Sequence, residues 1–274
     1  MYPDPKHNYL VGASEGGLIT TKSIEMKNCY SGGLAVCGPI GDFTEQVNYV
    51  GDFRVLFDYF FPGVLPGSPM NIPQELMDNW ETVYMPAVIQ AISDYPERTQ
   101  ELIRVSGAAV DPNDPETFGQ TVVGVLWYNV FATNDLVERV GGNPFDNHDR
   151  TYRGSSNDAY LNKNVQRFTA DAQALAELQH QFETNGIPSE PLITMHTVAD
   201  PIVPFWHERM YRTKVAENGI SGLYHNYPVM RYGHCNFTTD EVLQAFTALV
   251  LQVQLREQLG PPSPTKTRPI TRSR

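Results

Sequence analysis

The chain has 274 residues, 41% of them hydrophobic and 11% aromatic, which is enough for one sizeable core and too much for a disordered chain. Its formal net charge of -11 argues against a nucleic-acid partner, which needs clustered Lys and Arg to meet phosphates. No run reaches the ~18 apolar residues of a membrane span, and residues 1–10, "MYPDPKHNYL", have neither the basic start nor the apolar middle of a secretory signal.

In chain order, the first β-prone run is residues 9–11, followed by a Gly-rich turn and an amphipathic segment over 17–27 that reads as a helix. A second apolar run, "GGLAVCG", centres on 34–37. Residues 42–188 then change character. They are helical by period in "PQELMDNWETVYMPAVIQAI", "PERTQELIRV", "FGQTVVGVLWYNVFATNDLVERV" and "FTADAQALAELQHQFETNG", with Pro and Gly punctuating "FFPGVLPGSP" and "DPNDPET". That length is far beyond a connecting loop and predicts an inserted helical subdomain. The third run, "PLITMHT" (192–196), leads to a helix over 205–218 stopped by Gly219. The fourth, "GLYHNY" (223–227), leads to a helix over 238–259, with Thr238 or Thr239 as N-cap ahead of Asp240 and Glu241.

All four runs read as buried parallel strands, because strands alternating with helices imply βαβ units. The expected class is therefore α/β: a core from residues 1–41 and 189–260, a helical insertion at 42–188, and a Pro-rich basic tail at 261–274 expected to be disordered. No internal repeat is visible.

The chemistry begins at "GASEGG", residues 12–17. A serine hydroxyl is a weak nucleophile until a base takes its proton. A sharp strand-turn-helix lifts Ser14 above the sheet and aims a helix N-terminus at a developing oxyanion, with Gly12 and Gly16 expected to let the backbone close. G-x-S-x-G alone is a weak signal, since a serine in such a turn often only caps a helix. The base and acid must come from elsewhere. "MHTVADPIVP" places Asp200 just past the third strand, and "YPVMRYGHCNFTTDE" places His234 in a Gly-flanked loop after the fourth. In an open parallel sheet these loops share one edge.

These pieces, "GASEGG", "GGLAVCGPIGD", "HTVADPIVP" and "YGHCNF", resemble the α/β-hydrolase family of serine hydrolases, in the manner of bacterial esterases and prolyl-oligopeptidase-like hydrolases. The likeness is good over residues 8–48 and 191–259 and loose over the insertion. It implies a partial α/β-hydrolase fold with a large helical cap. It also implies Ser14 as nucleophile, His234 as general base and acid, Asp200 orienting His234, and the Glu15 backbone N–H as one oxyanion donor. In the family about four strands precede the serine turn, and a loop among them carries the other oxyanion donor. Here only seven residues precede Asn8, so the sequence is expected to lack the N-terminal part of a hydrolase.

Some tannase and feruloyl-esterase relatives bridge a cysteine before the serine to one after the histidine. Here Cys235 follows His234 but Ala13 precedes Ser14, so that bridge is excluded. Cys235 could meet Cys37 or Cys29, but three cysteines are too few for a disulfide scaffold, and small buried apolar thiols are the favoured expectation.

Among the other histidines, His196 reads as a packed neighbour of Asp200, His207 and His225 as structural, and His148 as part of a solvated loop. No spacing suggests a metal site and no glycine-rich phosphate loop follows a strand, so no cofactor is expected. Phe53, Phe57, Tyr59, Phe60, Phe61, Trp80, Tyr84, Trp127, Tyr128 and Phe131 are expected to fill mostly the insertion's own core, with some lining an apolar pocket over Ser14. The functional expectation is a serine esterase acting on a small-molecule ester with a bulky apolar side. The alternatives are a prolyl-oligopeptidase-like peptidase and a non-catalytic member of the fold. The sequence does not assign the compartment or the oligomeric state.

Overall fold

The computed structural model describes residues 5–26 and 29–259. The expected disordered tail lies outside the described residues, as does position 27, the predicted end of the first helix. Four strands, β1 (Tyr9–Ala13), β2 (Gly32–Val36), β3 (Leu192–Ala199) and β4 (Tyr224–Tyr232), form one sheet in the order β1-β2-β3-β4. Every neighbouring pair is parallel, so the chain is an α/β protein with helices on both faces of its sheet. β2 and most of β3 are buried, as continuous apolar runs in a parallel sheet should be. β1 and β4, expected to be buried too, are the edges and alternate toward solvent.

Alternation along β2 and β3 splits the core. Leu34, Val36, Ile193 and Met195 pack against Ala245, Leu249 and Val253 of α10 (Thr239–Leu259). Ala35 and Leu192 face Ile24 of α1 (Glu15–Glu25) and Tyr211 and Val215 of α9 (Trp206–Glu217). At the start of α10 a capping box forms: Thr238 Oγ1 accepts from the Glu241 N–H at 3.2 Å, and Glu241 Oε2 accepts from the Thr238 N–H at 2.7 Å.

Between β2 and β3 the chain runs through α2 (Phe43–Phe60), α3 (Gln74–Asp78), α4 (Met85–Asp94), α5 (Pro96–Ser106), α6 (Glu116–Val140), α7 (Asp158–Asn164) and α8 (Ala172–Phe182). They enclose a separate core built on Phe53, Phe57, Leu102, Val125, Leu126 and Leu161, which also takes in Ile202 and Val203 beyond β3. The single helical run expected over 73–92 is broken by Pro86. With no N–H to donate, it leaves a π-turn at Trp80–Tyr84 ahead of α4. α2 was not visible as an amphipathic pattern because it is enclosed on most sides. Even Arg54 is fully buried, donating to Asp58, to Asn129 Oδ1 at 3.1 Å and to the Pro66 carbonyl at 3.0 Å.

Candidate active site

Three loops at the carboxyl ends of β1, β3 and β4 meet, for the reason that parallel strands all end on one edge. Ser14 follows β1 with φ 56°, a left-handed conformation costly for a side chain, and its N–H is tied to the Val36 carbonyl at 2.8 Å. The turn depends on Gly12: a Cβ there would lie 2.1 Å from the Gly16 carbonyl oxygen and 2.7 Å from Thr20 Oγ1. Gly16, expected to be needed for closure, would carry a Cβ without contact. It is Gly17 that packs, against Val36 and Gly38 of the neighbouring strand end. Glu15 opens α1, so its backbone N–H has no intrahelical acceptor and sits beside the serine.

Ser14, His234 and Asp200 form one hydrogen-bonded chain: Ser14 Oγ lies 2.9 Å from His234 Nε2, and His234 Nδ1 lies 2.8 Å from Asp200 Oδ2. Asp200 is buried, 1% exposed, and fully paired. Its Oδ1 accepts the N–H groups of Ile202 (2.8 Å) and Val203 (3.0 Å), while Oδ2 also faces His196 Nε2 at 3.3 Å. Burial alone would raise its pKa, but the hydrogen bonds from His196 and His234 prevail and hold the carboxyl down at about 2. The Asp200–Val203 turn is braced by α2, where the Tyr49 hydroxyl donates to the Pro201 carbonyl (2.6 Å) and Gln46 to the Ile202 carbonyl (2.9 Å).

The His234 loop is held at both flanks. The Gly233 N–H donates to the Ala199 carbonyl at 3.0 Å, and Thr197 Oγ1 donates to the Gly233 carbonyl at 2.6 Å. On the other side, Cys235 forms a disulfide with Cys37. The expected pair of buried thiols is therefore corrected: both residues lie at carboxyl ends of the sheet, where geometry brings them together, and Cys29 stays free and exposed. The bridge that Ala13 excludes is made from the end of the next strand instead. Ser14, Cys37 and Cys235 are the non-glycine residues with positive φ among the described residues, so the backbone strain is gathered at this site. The cluster of Cys37, Cys235 and His234 offers no thiolate to a metal, since both sulfurs are bonded to each other.

One neighbour was missed. Tyr128, midway along α6, lies beside Ser14 and turns its ring edge-on to the His234 imidazole, with centroids 6.4 Å apart. Burial raises its pKa, opposed in part by the nearby Ser14 hydroxyl. In the sequence it was one of ten aromatic residues of the insertion, and only its reach from a separate helix distinguishes it. Beside it opens a cavity of about 200 Å³, lined by Ser14 and Glu15 and chiefly by Phe43, Val47, Val50, Met70, Leu136 and Ile202. It is more aliphatic than expected; of the ten aromatics Tyr128 alone lines it, while Phe53, Phe57, Phe60, Phe61 and Trp80 are buried in the helical core.

The remaining histidines weighed above fall apart from Ser14. His207 is buried, with Nδ1 accepting from the Gly41 N–H at 3.0 Å and Nε2 facing Gln46 Oε1 at 2.8 Å. His148 is exposed beside Asp149, and His225 lies on the solvent side of β4. His196 is fully buried behind Asp200. Among the described residues no helix is long and apolar enough to cross a membrane.

No protein-family model matches the chain, and no curated protein matches its sequence. Among solved structures it is similar to feruloyl esterase B from Aspergillus oryzae, at 16% identity and a TM-score of 0.43, covering 93% of this chain and 60% of that one. It is similar to tannin acyl hydrolase from Aspergillus niger at 12% identity and a TM-score of 0.43, covering 92% and 57%. An esterase from Aspergillus oryzae aligns at 15% identity and a TM-score of 0.38, covering 84% and 52%. The chain thus spans between 52% and 60% of the length of these three proteins. They are what the chain resembles.

Proposed function

We propose that the protein is a serine hydrolase that cleaves a carboxylic ester through an acyl-enzyme. The observation that carries this is the Ser14–His234–Asp200 hydrogen-bonded chain at the mouth of an apolar cavity. Ser14 Oγ attacks the ester carbonyl while its proton passes to His234 Nε2. Asp200, ionised and buried, holds the imidazole with Nδ1–H toward itself and stabilises the imidazolium that forms. The oxyanion meets the Glu15 N–H at the start of α1 and the Tyr128 hydroxyl. The C–O bond to the alcohol breaks as the leaving oxygen takes the proton from Nε2; water, deprotonated by the same nitrogen, then adds to the acyl carbonyl, and the C–Oγ bond breaks to release the acid as Ser14 Oγ takes the proton back from His234. On this reading the helices between β2 and β3 act as a cap whose aliphatic cavity receives the acyl side, of the size of a short chain or a single ring.

The test is covalent labelling with a fluorophosphonate probe, followed by turnover of p-nitrophenyl acetate, butyrate and benzoate beside a prolyl anilide. Labelling at Ser14, with butyrate or benzoate preferred over acetate and the anilide uncleaved, is the expected result. An unlabelled Ser14 in folded protein would remove the basis of the reading.

Tyr128→Phe is expected to lower kcat by about 10²-fold with KM nearly unchanged, because a donor that acts on the oxyanion is used only in the transition state. Steady-state kinetics on p-nitrophenyl butyrate check it. A rise in KM at constant kcat would instead make Tyr128 part of the cavity wall.

A further inference from the structure

Behind Asp200 lies a second set of ionisable groups that the mechanism above does not use. His196 on β3 and Glu208 on α9 are both essentially without solvent contact. His196 Nε2 lies 2.8 Å from the Val203 carbonyl and 3.3 Å from Asp200 Oδ2, and Nδ1 lies 3.2 Å from Glu208 Oε1. A carbonyl oxygen can only accept, so Nε2 carries a proton. Glu208 Oε2 in turn accepts the hydroxyls of Thr194 (2.6 Å) and Tyr224 (2.7 Å). The Thr194 oxygen also accepts from Asn226 Nδ2 at 3.1 Å. With both hydroxyls on Oε2, the proton between the two side chains lies on the Nδ1–Oε1 contact, and Asp200 and Glu208 together raise the His196 pKa to about 9, which places it on Nδ1. Nδ1 therefore donates as well, and His196 is an imidazolium lying between two buried carboxylates.

The surrounding groups leave this assignment intact. His207, on the same helix as Glu208, is neutral by its hydrogen bonds, and burial together with the His196 charge pushes its pKa well below the ordinary value. Tyr49 of α2 and Tyr224 and Tyr232 of β4 are kept protonated, burial being the main cause. Lys214 is paired with Glu183, Arg212 reaches Asn226 at 3.4 Å, and an edge-on Phe205 ring closes the remaining side of His196. Burial would lower the His196 pKa, but Asp200 and Glu208 outweigh it and raise it to about 9. An apolar pair could fill the same space without desolvating three charges, so packing alone does not account for the arrangement.

We infer that His196 and Glu208 are positioning residues: Glu208 keeps the proton on His196, and His196, through Asp200, sets the pH above which His234 is free to accept the serine proton. This rests on the esterase reading. A positive charge one carboxylate away opposes formation of the His234 imidazolium, so the free base persists to lower pH and the acid limb of kcat/KM lies lower than Asp200 alone would place it. At the effective dielectric of a protein interior such a charge is worth about 1 pH unit.

Two measurements test this. In His196→Gln the acid limb of kcat/KM for p-nitrophenyl butyrate is expected to move up by about 1 pH unit, a loss that approaches tenfold well down the limb and recovers on the alkaline plateau. The double variant His196→Gln/Glu208→Gln leaves no buried charge unpaired, and it shifts in the same direction because His196 touches Asp200 and Glu208 does not. A uniform loss at every pH with an unmoved limb would reduce the pair to packing and overturn the inference. Nitrogen-15 NMR of the wild-type ring is expected to show both His196 nitrogens protonated from pH 5 to 8; a neutral single tautomer at pH 7 would overturn it even if the variants fail to fold. A wild-type protein inactive on esters would overturn the esterase reading, and this inference with it, whereas an active one with an unmoved limb would overturn the inference alone.

Discussion

Alanine at Ser14 or at His234 is expected to lower kcat for an aryl ester by roughly 10⁶-fold, and Asp200→Asn by about 10⁴-fold. The Asp200 case is decided by the site's hydrogen bonds. Oδ1 accepts two backbone N–H groups, from Ile202 and Val203, so the amide oxygen of an asparagine must take that position. Its NH₂ is then forced to the Oδ2 position, facing His234 Nδ1 and His196 Nε2. Nδ1 becomes an acceptor, Nε2 carries the hydrogen, and the imidazole can no longer take the proton of Ser14. The same NH₂ opposes a donor on His196, so this variant should also lose stability. Single-turnover kinetics with p-nitrophenyl butyrate, alongside a thermal melt, separate the two effects. Near-wild-type turnover in Asp200→Asn would show that the carboxylate does not orient His234.

The second large effect concerns the Cys37–Cys235 bridge, which joins residues 198 apart in sequence. Closing a loop of that length restrains the unfolded chain by about 5 kcal/mol on the chain-entropy account. Reduction, or Cys37→Ala with Cys235→Ala, is expected to lower stability by about 2–5 kcal/mol, a fall in Tm on the order of 10 °C for a domain of this size. The effect on kcat should be smaller, because the bonds from Gly233 to Ala199 and from Thr197 to Gly233 still hold the loop. Melting curves with and without reductant, read beside turnover at 25 °C, check both parts. An unchanged Tm on full reduction would mean that the bridge closes no loop the fold depends on.

Much of the sheet could be read from residue order. Short apolar runs marked all four strands; for β2 and β3 the cause is burial in a parallel sheet, which leaves a continuous apolar signature, while β1 and β4 were marked by the helical periods that follow them. Ser14, Asp200 and His234 each stood in a loop at the carboxyl end of such a run, so topology alone predicted that they share an edge. What sequence period could not show was anything buried on all sides or joined across the fold. α2 carries buried Asp52 and Arg54 among its apolar residues and so has no polar face to mark it. Whether β4 is interior or edge depends on which strands pair beside it, which local hydrophobicity does not specify.

The chain by itself determined the place of Ser14 at a strand-to-helix turn, because that depends on neighbours a few residues away. Only the tertiary structure decided that Cys235 bonds to Cys37, that Gly17 rather than Gly16 is packed, that Tyr128 stands beside Ser14, and that His196 is held between Asp200 and Glu208. Each of these joins groups brought together by the packing of separate elements, and the forces involved act over a few ångströms of space with no reference to distance along the chain.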